Sequence, residues 1–153
     1  MTTAIFGCTN STPSKKDSEV YGSDYVNFQM PEGWEVHPMP GKGTVIWMKG
    51  DPRIRVVELS AEKFNSAYNN AININKNDYN IQKLNRKTNG INVNIIKTIS
   101  NTNGDIEDQY FFQKNNKYYC LVSWGFSGWN SKKQSTFRKE IDKAVDTIVT
   151  TIN

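Results

Sequence analysis

His37 is the only histidine in the 153-residue chain, and Cys8 and Cys120 are the only cysteines, so few nucleophile–base pairs can be built. Gly125-Phe126-Ser127-Gly128 has the flavour of a nucleophile elbow, but it lacks the Gly-x-Ser-x-Gly spacing that forces a serine out of a strand-to-helix turn. Cys120 falls in an apolar strand pattern, where a free thiol packs as a small hydrophobe. Either nucleophile would need His37 to converge on it, and nothing in the order of elements brings them together. A small hydrolase using Ser127 or Cys120 with His37 is therefore the enzymatic alternative, and no catalytic residue is assigned.

Other chemistries have less behind them. Two cysteines and one histidine fall short of a zinc set, and no metal or other cofactor is expected. Asp105, Glu107 and Asp108 cluster at a turn. Strand alternation gives Asp105 and Glu107 one face and Asp108 the other, which reads as a solvated edge without a full oxygen cage. Gly41-Lys42-Gly43-Thr44 precedes a strand rather than opening a helix, so the backbone cradle of a phosphate loop cannot form there. Lys132, Lys133, Arg138, Lys139 and Lys143 read as the solvated face of a helix. Beside Trp124 and Trp129 they would suit a single-stranded nucleic acid, but the compartment argues against that partner. Net charge is only +4, which permits attraction to anionic surfaces without requiring it.

The compartment is read from the N-terminus. Ile5-Phe6-Gly7-Cys8 resembles a lipobox, with an aliphatic residue three before the cysteine and Gly directly before it. Cys8 would then take the lipid. Phe6 departs from the usual small residue, and the basic start and long apolar stretch of a signal peptide are missing. Thr9 to Asp24 is rich in Ser, Thr, Lys, Asp and Gly, which is a tether composition. Asn10-Ser11-Thr12 is a glycosylation sequon that fits an extracellular stalk. Residues 1–23 are expected to be a truncated lipoprotein signal remnant and flexible stalk. The expected location is extracytoplasmic, lipid-anchored to the membrane.

The rest, 24–153, must position whatever chemistry the chain has. Tyr25 to Met30 alternates and predicts a first strand. Pro31-Glu32-Gly33 predicts a turn, and Trp34 to His37, Thr44 to Met48 and Arg53 to Leu59 predict further strands. Ser60 predicts a helix N-cap. Phe64, Ala67, Tyr68, Ala71 and Ile72 then recur at helical spacing. Strands resume at Tyr79–Leu84, Ile91–Ile99, Ile106–Gln113 and Lys117–Gly125. Asn89-Gly90, Asn103-Gly104 and Asn115-Asn116 punctuate them as an antiparallel meander. The C-terminal helix carries a stripe of Phe137, Ile141, Ala144, Val145, Ile148 and Ile152 that should dock on the sheet. Hydrophobic residues make up 37% and aromatics 12%, enough to bury a core in one domain. The fold class expected is α+β, an antiparallel sheet with a mid-chain and a C-terminal helix packed on it.

Tyr25-Val26-Asn27-Phe28-Gln29-Met30-Pro31-Glu32-Gly33-Trp34 resembles the start of the PsbP-like family, whose domains open with an aromatic strand, then Pro-x-Gly-Trp and a second strand. The order of elements from Tyr25 to Asn153 matches as well. The resemblance implies an α/β/α sandwich and a non-enzymatic binding or assembly role, as in the photosystem extrinsic subunit and the nuclear-import factor that binds a small GTPase. No partner-binding residue of either can be matched here. The partner is thus an unknown protein or small ligand at the cell surface. Trp34 and Trp47 are expected in the core. Trp124, Phe126 and Trp129, in a Gly-rich loop rimmed by Lys132 and Lys133, are the candidate partner-binding residues.

Overall fold

The computed structural model describes residues 26–39, 43–49, 52–124 and 131–153. Seven strands form one sheet: β1 (Glu35–Val36), β2 (Thr44–Trp47), β3 (Arg53–Leu59), β4 (Tyr79–Thr88), β5 (Ile91–Ser100), β6 (Ile106–Lys114) and β7 (Lys117–Trp124). Helix α1 (Ala61–Ile72) follows β3, and α2 (Ser131–Thr151) ends the chain. The spatial order is β1-β2-β3-β7-β6-β5-β4, with every pairing antiparallel. Two meanders, β1–β3 and β4–β7, thus meet at a single seam between β3 and β7.

Local chemistry accounts for the hairpins. Asn89 and Gly90 take φ of 46° and 82°, and Asn115 and Asn116 take 53° and 63°. Two-residue hairpins of type I′ need positive φ at both central positions, which Asn and Gly tolerate best. Ser60 caps α1 as expected, its Oγ accepting from the Lys63 backbone N–H at 3.2 Å. The far end of α2 is closed by Lys114, whose Nζ donates to the carbonyls of Val149 (3.0 Å) and Thr150 (2.7 Å). A cation there satisfies orphan carbonyls and meets the negative end of the helix dipole.

The core lies on both faces of the sheet. On one face Ile141, Ala144, Val145, Ile148, Val149 and Ile152 of α2 pack against Ile54, Val56, Ile95, Tyr110, Phe112, Tyr119 and Leu121. On the other, Phe64, Ala67, Tyr68 and Ala71 of α1 pack on Val57, Ile96, Phe111 and Cys120. Phe111 receives Phe64 and Tyr68 edge-on, with ring centroids 5.7 and 5.3 Å away. Tyr110-Phe111-Phe112 therefore serves both cores from one central strand. The arrangement is an α+β sandwich with a helix on each side of an antiparallel sheet.

Two expectations are corrected. Residues 26–30 form no strand. They run as an extended segment with Val26 and Phe28 buried beside Trp34, while the Gln29 N–H donates to Thr151 Oγ1 and the Asn153 N–H to the Asn27 carbonyl. The alternation there reflects half-burial against the end of α2, not a ladder. Trp34 is core, 6% exposed, and its N–H closes the turn onto the Pro31 carbonyl, with Gly33 at φ 85°. Trp47 is not core. It is half-buried on the face that carries α1, and its Nε1–H donates to Glu35 Oε1 at 3.2 Å.

Candidate functional site

The register aligns Glu35, Trp47, Arg53, Trp124, Glu107 and Thr98 across six neighbouring strands. Strand alternation puts this row on the same face as Val57, Cys120 and Phe111, the residues that α1 covers. The row lies beyond the helix, and most of its members are half-buried or exposed. His37 stacks on Trp47 at 4.0 Å, and the Arg53 guanidinium lies 5.6 Å from the centre of the same ring. Partial burial and then Arg53 lower the His37 pKa.

At the far end of the row the face hollows into a cleft of about 400 Å³, walled by Ile74, Tyr79, Thr98, Asp105, Glu107 and Trp124. Its walls are held by backbone and side-chain bonds that the Asn-rich turns supply. The Asn101 N–H donates to the Asp78 carbonyl and its side chain to the Asn77 carbonyl, tying the α1–β4 connection to the β5–β6 turn. Asn103 Oδ1 accepts from the Asp105 N–H at 2.9 Å, and Asn103 Nδ2 donates to Asp105 Oδ2 at 3.1 Å. That pair fixes the Asp105 carboxylate at the rim. Glu107 opens to the cleft, yet partial desolvation of its carboxyl, and then the adjacent Asp108, raise its pKa.

The opposite face holds a charged network that the sequence reading missed. Asp108 is not on a solvated edge. It is fully buried beneath α2, 3.0 Å from Arg138 Nη2 and 3.5 Å from Lys97 Nζ. Arg86 continues the network to Asp142 (3.3 Å) and Asp146 (2.7 Å), and the Tyr110 hydroxyl donates to Asp142. Arg138 therefore belongs to the interface and not to a solvated basic face. Burial raises the Asp108 pKa despite Lys97 and Arg138. The legible signal was Arg138, Asp142 and Asp146 at i, i+4 and i+8 on one helix edge. The network ties α2 to β4, β5 and β6.

The expected site residues separate. Trp124 is the last residue of β7 rather than part of a loop, half-buried on the α1 face. Lys132 and Lys133 are exposed in the first turn of α2, the helix on the other face, with Lys133 Nζ 5.4 Å from the Phe137 ring centre. Cys120 is free and buried under α1, and burial pushes its thiol pKa up to about 12, the wrong direction for a nucleophile. It stands three strands from the β1 end that carries His37, roughly 14 Å at the usual strand spacing. Cys8, Phe126, Ser127 and Trp129 lie outside the described residues, as does the expected stalk 1–23. Thr44, at the end of the Gly-Lys-Gly-Thr run, opens β2.

Among the described residues no group of three His, Cys, Asp or Glu side chains is placed to hold a metal ion. No helix among them is long and apolar enough to cross a membrane. No family model matches the chain, and neither does any curated protein. Among solved structures it is similar to the solution structure of cyanobacterial PsbP (CyanoP) from Synechocystis sp. PCC 6803, at 12% identity over 88% of this chain and 87% of that one, with a TM-score of 0.46.

Proposed function

We propose that this chain is a PsbP-like, non-enzymatic binding or assembly module, tethered at the cell surface through a lipid on Cys8, with its binding end at the Trp124 end of the sheet. The observation that carries this reading is the cleft. It is a hollow of about 400 Å³ in which an indole, a phenol and two isoleucines stand beside the polar side chains of Thr98, Ser100, Asn103, Asp105 and Glu107. Phe126 and Trp129 lie within the five residues that follow Trp124 in sequence. Lys132 and Lys133 open α2 on the other face of the sheet and are not among the described residues that line the cleft. The partner is an unknown protein or small ligand.

Two measurements test the reading. Metabolic labelling of cells with a lipid probe should mark the wild-type protein and leave Cys8→Ser unmarked; equal labelling removes the tether. A broad ester, phosphate and peptide substrate screen should find no turnover. Turnover abolished by His37→Ala would replace the binding module with a hydrolase.

A further inference from the structure

We infer that the cleft beside Trp124 is a site for a small organic cation, an ammonium group carried on a compact apolar body. The inference rests on the reading of this end as a binding end and adds the class of ligand.

The charge balance points this way. The chain as a whole carries 19 basic and 15 acidic residues, yet the described residues that line the cleft include two carboxylates, Asp105 and Glu107, and neither Lys nor Arg. An acidic hollow in a basic protein concentrates cations and repels anions. Two of the neighbouring cations are turned elsewhere. Arg53, one strand from Trp124 in the row, lies toward Trp47, and Lys97 is on the opposite face with Asp108. Among the described residues no hydrogen bond or ion pair occupies the Glu107 carboxylate, whereas Asp105 is fixed by Asn103.

The walls decide between a metal and an organic ion. Trp124 pairs directly across from Glu107, so an indole and a carboxylate stand side by side on one face. Tyr79, Ile74 and Ile106 supply further apolar surface. A calcium or magnesium ion needs six or more oxygens and gains nothing from rings, while an ammonium ion is held by a ring face and a carboxylate together. The volume of about 400 Å³ admits a body of several carbon atoms.

The test uses choline as probe and its neutral isostere 3,3-dimethylbutan-1-ol as control, with the indole N–H resonance of Trp124 assigned by Trp124→Phe in the full chain. Choline should shift that resonance saturably. The neutral alcohol should bind at least ten-fold more weakly, and Glu107→Gln should weaken choline by a similar factor while the melting temperature holds. Trp47→Phe should leave the response intact. Equal shifts from choline and the alcohol would overturn the inference. So would silence toward choline, or a response at Asp105 and Glu107 to calcium alone. Substrate turnover would instead sink the binding-module reading, so the two failures are told apart.

Discussion

At the scale of single residues the asymmetry of the buried network is the sharpest consequence. Asp108 has no solvent, so removing Arg138 leaves its buried charge with Lys97 alone, at 3.5 Å. Arg138→Met should cost roughly 3 kcal/mol in chemical denaturation. Removing the acid is different, because Arg138 keeps some solvent and Lys97 keeps Asp142 at 3.9 Å. Asp108→Asn should therefore melt no earlier than wild type at neutral pH, and it should rescue most of the Arg138→Met loss in a double-mutant cycle. The pH sign follows from the raised folded pKa. The native state binds the proton more readily than the unfolded chain, so wild-type stability gains as pH falls through that pKa toward 3.8. The gap to Asp108→Asn should close over that window. Asp108 could not be placed from sequence because it is covered by α2, whose Arg138 lies 30 residues further along the chain. Among the tryptophans, Trp34→Ala should cost roughly 3–5 kcal/mol as a core truncation, and Trp129→Ala far less if it belongs to the binding end. Equal early melting would make Trp129 core.

Elements were more legible than residues. β3 begins and ends where alternation and Pro52 placed it, and Ser60 caps α1 through the hydrogen bond that its position promised. The hairpins followed from Asn-Gly and Asn-Asn pairs, whose backbone preference is local. Failure came where a pattern has two physical causes. Residues 26–30 alternate because one side is buried against the end of α2, and alternation cannot reveal whether a neighbour strand is present. Trp47 was assigned to the core from its place in mid-strand, but its row runs past the end of α1. The closure of α2 by Lys114 was equally invisible, since it joins the end of β6 to a helix residue 35 positions away. Lys114→Met keeps the aliphatic stem and removes both donors. It should lower stability by about 1–2 kcal/mol, read as an earlier thermal midpoint and faster exchange of the last α2 amides.

For the molecule as a whole, the strand order has a consequence in time. Every strand pair but one joins neighbours along the chain through a short turn or loop; β3 and β7 pair only after the whole stretch from Leu59 to Tyr118 has been gathered in. Local closures carry the smaller entropic penalty and come first. Ile74, Tyr79, Thr98, Asp105, Glu107 and Trp124 all belong to the later meander or its lead-in, on the near side of that junction. The hollow can thus take shape in a half-assembled chain, before the first three strands dock. Trp124, as the last residue of β7, stands on the line where that docking completes. A molecule caught before completion would already offer its pocket while still exposing the edge of β7.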